Sequence, residues 1–183
     1  PKAGISYNLS GSQNVYASIS VAHREPNRDN FVDADLSKPV PLPELLYDFE
    51  GGYSINTNHL AINANVYYMY YKDQLVLTGA INDVGSAIMI NVPSSYRAGI
   101  ELSAKMLITK KWSWEPSITL SRNKIKTFTE YIDDWDTYEQ ITVKHTNMDL
   151  SFSPSVIANS SLSWNVFKGL NVNLISKFVG KQY

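Results

Sequence analysis

The sequence predicts an all-β chain, an antiparallel up-and-down meander of about eight strands. Three observations predict it. Apolar side chains recur at every second position, the period of a strand with two unlike faces. No stretch carries the i, i+3, i+4, i+7 spacing of an amphipathic helix. The connections alternate between tight turns and long polar excursions, as they do when every hairpin turns short at one end of a sheet and long at the other.

Taken in order, strands are expected near 3–10, 13–22, 44–55, 60–77, 92–108, 112–126, 153–167 and 171–182. The second alternates Val15, Ala17, Ile19 and Val21 with Tyr16, Ser18 and Ser20. The fourth is the clearest: Leu60, Ile62, Ala64, Val66, Tyr68 and Tyr70 on one face, with Asn63 and Asn65 on the other. The fifth sets Ala98, Ile100, Leu102, Ala104 and Met106 against Arg97, Gly99, Glu101, Ser103 and Lys105. The seventh sets Val156, Ala158, Leu162, Trp164 and Val166 against Asn159, Ser161, Ser163 and Asn165. The last repeats the pattern with Val172, Leu174 and Phe178 against Asn171, Asn173 and Lys177, blurred by Ile175 and Ser176. Gly11-Ser12, Asn56-Thr57-Asn58-His59, Thr109-Lys110-Lys111 and Lys168-Gly169-Leu170 read as tight turns. Long connections are expected at 23–43, 78–91 and 127–152.

Several of these strands exceed the ~5–6 residues usual in globular sheets and match the ~9–11 tilted residues that cross a bilayer. Only 18% of the residues are charged, against ~25% in an ordinary soluble domain. A split between an apolar face and a face of Asn, Ser, Thr and charge is what an outer-membrane barrel needs, one side meeting lipid and the other a wet lumen. Aromatic residues gather near strand ends: Tyr47 and Tyr53, Tyr68 to Tyr71, Tyr96, Trp112 and Trp114, Trp164 and Phe178. Those places suit interfacial girdles. A soluble β-sandwich that binds carbohydrate alternates in the same way, and a complete eight-stranded barrel of the small OmpA-like kind fits the length.

Composition excludes several functions. With no cysteine there is no disulfide framework, thiolate metal site or Cys nucleophile. A net charge of −1 gives no global field for nucleic acid or anionic lipid, and nucleic acid is not expected as a partner. No phosphate loop, dinucleotide fingerprint, nucleophile elbow or His-Glu-x-x-His occurs, so neither an enzyme nor a cofactor site is expected. The three histidines, His23, His59 and His145, fall in separate connections without metal-ligand spacing. Pro1-Lys2-Ala3-Gly4 lacks the apolar stretch of a secretory signal.

Two places can meet a ligand. In His23-Arg24-Glu25-Pro26-Asn27-Arg28-Asp29-Asn30-Phe31, Pro26 ends a strand, and Arg24 and Arg28 suit anionic groups through bidentate hydrogen bonds. The plainer account pairs them with Glu25, Asp29 or a lumenal carboxylate to order the loop. Asp133, Asp134, Trp135 and Asp136 form the densest acidic cluster, able to contact a hard cation or a polar ligand, with Trp135 stacking on a sugar face. Its plainer account is a solvated loop tip. The run Lys38-Pro39-Val40-Pro41-Leu42-Pro43 reads as an extended lead-in to the third strand.

The segment Asn65-Val66-Tyr67-Tyr68-Met69-Tyr70-Tyr71-Lys72-Asp73-Gln74-Leu75-Val76-Leu77-Thr78-Gly79, followed by Ile81-Asn82-Asp83-Val84-Gly85, resembles a recurring stretch in the barrels of TonB-dependent outer-membrane receptors of Gram-negative bacteria. Flanking matches are Ala22 to Phe31, Asn91-Val92-Pro93, Ser95 to Leu102, and Leu120-Ser121-Arg122-Asn123-Lys124-Ile125. The resemblance implies a barrel of about 22 strands filled by an N-terminal plug domain. It also implies uptake of an extracellular nutrient, a metal chelate or a glycan, driven by the TonB energy complex of the inner membrane. At this strand density 22 strands need roughly 500 residues, so the chain is expected to be a segment from the C-terminal part of such a barrel, without its plug. Tyr183 falls in the register opposite Val172, Leu174 and Phe178, which reads as a cut in mid-strand. Charge facing lipid costs ~2–4 kcal/mol at the midplane, so Asp48, Glu50, Arg97, Glu101 and Lys105 are expected to face the lumen, against plug or ligand path. Arg97, Glu101 and Lys105 are spaced by four, ~13 Å per step along a strand, so each needs a cross-strand partner or water.

Overall fold

In the computed structural model, residues 1–34, 40–81, 84–134 and 139–182 are described, with side chains described except at 78–81, 131–134 and 139–140. Nine strands and one short helix follow one another: β1 (Lys2–Ser10), β2 (Gln13–Arg24), α1 (Arg28–Val32), β3 (Glu44–Asn56), β4 (Leu60–Ile81), β5 (Ala87–Leu107), β6 (Trp112–Asp134), β7 (Glu139–Asp149), β8 (Val156–Phe167) and β9 (Leu170–Val179). All nine belong to one antiparallel sheet.

The count is nine rather than eight because β6 has two partners. Its first half pairs with β8, Trp112 opposite Trp164 through Leu120 opposite Val156. Its second half pairs with β7, Lys124 opposite Asp149 through Asp134 opposite Glu139. β7 and β8 thus lie end to end in one lane, interrupted by the turn at 150–155, and the sheet is eight lanes wide. The expected loops at 78–91 and 127–152 are therefore largely strand. Ile141, Val143 and His145 alternate with Thr142, Lys144 and Thr146, a strand period diluted by polar residues. His23 and His145 accordingly sit in strands rather than connections.

β2 ends two residues before Pro26, where a strand loses its donor. The connection that follows holds α1, a five-residue turn of helix not foreseen from periodicity. Asn27 caps it, accepting from the Asn30 N–H while the Asn30 side chain accepts from the Asn27 N–H.

Across the eight lanes the pairing produces transverse rows of one chemistry. Tyr7, Val15, Tyr53, Ala64, Leu102, Ile118, Ala158 and Phe178 form one row, wholly apolar or aromatic. The next row is Asn8, Asn14, Ser54, Asn63, Ser103, Ser117, Asn159 and Lys177, wholly polar. Adjacent rows point to opposite faces, so one face is greasy from edge to edge and the other is wet. Among the described residues no second layer covers the greasy face: Val66 is 53% exposed and Ile100 47%. A sandwich would bury those positions between two sheets, and here there is one sheet. Nor does β1 pair with β9, as a closed eight-stranded barrel requires; each has a single neighbour.

The apolar face carries aromatic rings at both ends. Toward the short turns Trp112 stacks on Trp164 with centroids 5.2 Å apart, and the Trp114 Nε1–H donates to Ser160 Oγ at 2.8 Å. Toward the other end Tyr47 meets Tyr70 at 6.4 Å and Tyr68 stacks with Tyr96 at 6.0 Å. Tyr71 departs from the expected girdle, because its odd register turns it to the polar face, where its hydroxyl meets the Met69 sulfur. From Leu60 to Tyr70 is ten steps, about 34 Å of strand; at ~40° of tilt this covers about 26 Å, close to the ~25 Å apolar band of outer-membrane barrels.

Beyond that band β4, β5 and β6 continue as hairpin arms, and the one-sided pattern gives way to a small core. Val76, Val92, Ile125 and Leu150 are buried together, with Ile90, Phe128 and Met148 packed on them. Asp73 adopts φ 54°, a left-handed conformation that Asp tolerates, where the regular alternation of β4 stops. The segment leading into β3 is tied to the arms by Asn91, whose amide accepts from the Leu42 N–H and donates to the Leu42 carbonyl.

Candidate functional site

The polar face of the sheet is the candidate site, because its side chains line whatever space the wall encloses. Asp48, Glu50, Arg97, Glu101 and Lys105 all lie on it, as their register predicts. Lys105 finds its cross-strand partner in Glu115 at 2.7 Å. Glu101 accepts from the Asn65 amide at 3.4 Å, and Asn65 in turn accepts from the Tyr16 hydroxyl at 2.9 Å. Asp48 and Arg97 share a transverse row through Met69. Asp48 Oδ2 accepts from Ser20, but Asp48 Oδ1 and Arg97 Nε are buried without a hydrogen-bond partner among the described residues.

Two tyrosines shape this face by lying flat over glycine. The Tyr16 ring covers Gly52, where a Cβ would fall 2.2 Å from a ring carbon, and so reaches β4 from β2 across β3. The Tyr67 ring covers Gly99 in the same way, with its hydroxyl 2.6 Å from where a Cβ would stand and the Leu120 carbonyl at 2.7 Å. A glycine inside a strand marks close approach of this kind. Both rings run along the wall instead of projecting from it.

At the long-connection end, Arg24 is the last residue of β2 and pairs with Glu44 at the start of β3. Glu44 is buried and also accepts from the Leu75 N–H at 2.9 Å, so the ion pair ties three strands together. The partner of Arg24 is thus Glu44, not the Glu25 or Asp29 of its own connection. Arg28 stands exposed on α1. Asp133 and Asp134 are not in a loop: their backbone closes β6 opposite Gln140 and Glu139. Trp135 and Asp136 lie outside the described residues, as do Lys38, Pro39, Asn82, Asp83 and Tyr183. Among the described residues no group of His, Asp or Glu is placed to hold a metal ion.

Sequence reasoning missed Glu44, Glu115 and Tyr67 as members of this surface, and it set Tyr16 on the polar face of its strand without its reach to Asn65. Glu115 was findable, since its register on β6 matches that of Lys105 on β5. How the two tyrosines lie was legible only through Gly52 and Gly99, the glycines of their neighbouring strands.

One sheet, greasy outside and hydrogen-bonded inside, ringed by aromatic residues and turning short at one end, defines a segment of membrane β-barrel wall. The TonB dependent receptor-like β-barrel family model matches residues 1–183, and the chain belongs to that family. No curated protein matches the chain. Among solved structures it is similar to the siderophore receptor PiuA from Acinetobacter baumannii, with TM-score 0.71 and 18% identity over 100% of this chain and 26% of that one. The ferric-catecholate import receptor Fiu from K12 E. coli gives TM-score 0.70 and 18% identity, over 100% of this chain and 24% of that one. The copper transporter OprC gives TM-score 0.67 and 18% identity, over 89% and 23%. The chain therefore spans about a quarter of the length of these proteins, and at such identities the likeness is one of fold.

Proposed function

We propose that this chain forms part of the lipid-embedded wall of an outer-membrane receptor that takes up a scarce nutrient with energy from the TonB complex. The single observation that carries the reading is the row structure: whole apolar rows alternate with whole polar rows across eight lanes. The family match and the printed roles of the similar structures, siderophore, ferric-catecholate and copper transport, support a metal chelate as cargo, with a glycan as the alternative. No covalent chemistry is assigned to the chain.

Within this reading the long-connection end faces the outside, since outer-membrane barrels keep their short turns in the periplasm. Arg28, Asp133, Asp134, Trp135 and Asp136 are then ligand-facing candidates, with Arg24 ordering their base. Asp48, Glu50, Arg97, Glu101 and Lys105 face a plug domain. The unpaired Asp48 Oδ1 and Arg97 Nε support this, because a buried donor and acceptor without partners cost ~1–3 kcal/mol each until something supplies them. Deleting the gene is expected to abolish growth on one metal chelate or glycan supplied as the sole source, and removing the TonB complex is expected to give the same defect. Undiminished uptake of that nutrient without the TonB complex would contradict the proposal.

A further inference from the structure

Four cations stand on the apolar face of the wall, the face where charge is least welcome. Arg122, Lys124 and Lys126 occupy alternate positions of β6 in outward register, and Lys72 occupies the same register of β4. Arg122 shares its row with Tyr68, and Lys124 shares its row with Tyr70 and Tyr96. The Lys126 ammonium reaches across β5 to sit 4.9 Å from the centroid of the Tyr70 ring, which fixes it on the outward side. The cations therefore begin at the aromatic girdle and rise above it, at the depth where hydrocarbon gives way to head groups. There a lipid-facing charge costs only ~0–1 kcal/mol instead of ~2–4 at the midplane.

Among the described residues, Lys124 alone of the four meets a carboxylate. Asp149 pairs with Lys124 at 2.7 Å. Among the described residues no carboxylate pairs with Lys72, Arg122 or Lys126, and all three are exposed. Arg122 and Lys126, four residues apart on β6, stand ~13 Å apart on one face, so they suit two separate phosphates rather than one.

We infer that this strip is a docking site for the phosphorylated head group of a membrane lipid in the leaflet at the long-connection end. The inference rests on the outward face meeting lipid, and adds to it a preference among lipids. The acyl chains lie on the apolar rows below, continuous with the strip, and the phosphates take Arg122, Lys126 and Lys72. A lipid in the bilayer reaches both surfaces at once; a free phosphate reaches only the cations.

The test uses the full-length protein in non-ionic detergent, titrated with bisphosphorylated lipid A and with its dephosphorylated counterpart, the bound lipid counted by native mass spectrometry. A basic residue near an anionic lipid surface is worth roughly fivefold in affinity, so R122Q/K126Q is expected to bind the phosphorylated lipid about 30-fold more weakly. The charge-keeping R122K/K126R is expected to retain binding, as is K168Q in the turn at the opposite end. Millimolar inorganic phosphate is expected not to displace the lipid. Equal binding of the two lipids, wild-type binding by R122Q/K126Q, equal loss in K168Q, or displacement by inorganic phosphate would each overturn the inference. Vesicle flotation of the same preparations reports membrane insertion separately, so a failure of the lipid-facing reading is distinguishable from a failure of lipid preference.

Discussion

Replacing Ile100 with arginine is expected to destabilise the folded barrel by ~2–4 kcal/mol, while Ser103→Arg on the same strand changes stability by only about 0.5 kcal/mol. Ile100 lies in a row with Val66 and Leu120, inside the apolar band between the two aromatic girdles. Its side chain is 47% exposed, so in a soluble sheet a long charged residue would extend harmlessly into water there. In a bilayer it meets hydrocarbon, and the guanidinium must bury its charge or drag water inward. Ser103 sits in the polar row with Asn63 and Ser117. Reversible urea unfolding of the full-length protein in lipid vesicles measures both. The contrast between the two variants carries the information, since the same residue is introduced at similar exposure on opposite faces.

Gly99→Val is expected to cost more than Gly52→Ala, and only the second is rescued by removing a tyrosine. At Gly52 a new Cβ meets nothing nearer than the Tyr16 ring, the far part of a movable side chain. Gly52→Ala with Tyr16→Ala should therefore recover most of the loss that Gly52→Ala adds. At Gly99 the Cβ meets the Tyr67 ring and also the Leu120 carbonyl, which belongs to the backbone ladder of β6. Overpacking of this kind costs ~1–3 kcal/mol, and Tyr67→Ala removes only part of it. Heat-induced unfolding of single and double variants reads both couplings.

Much of this was legible in the sequence wherever one face meets a uniform medium. Along Leu60 to Tyr70 each side chain has a single neighbourhood, lipid or lumen, so chemistry alternates cleanly and reads as a strand at once. The arms beyond Lys72 have no such medium. There Val76, Val92, Ile125 and Leu150 bury one another, Asp73 breaks the alternation, and Thr, Lys and His fill positions that greasy residues would hold lower down. A period diluted in this way reads as loop, which is why β7, the last four residues of β4, the first five of β5 and the last eight of β6 were missed. That Asp48, Glu50, Arg97, Glu101 and Lys105 share one polar face was legible from their alternation with apolar neighbours. Their partners were not, because Glu115 and Asn65 come from neighbouring strands, and pairing across a sheet depends on a register set by turns rather than by local sequence. Arg24 illustrates the same limit: its partner Glu44 is 20 residues away, across a long connection.

The claim on which the account stands is that Leu60, Ile62, Ala64 and Val66 touch lipid while Asn63, Asn65 and Tyr67 do not. The chain has no cysteine, so single cysteines introduced in turn from 60 to 67 can be followed without background. With the full-length protein in vesicles, reaction with a water-soluble maleimide is predicted to be slow at every even position and fast at 61, 63 and 65. Labelling rates at 62, 64 and 66 equal to those at 61, 63 and 65 would contradict it.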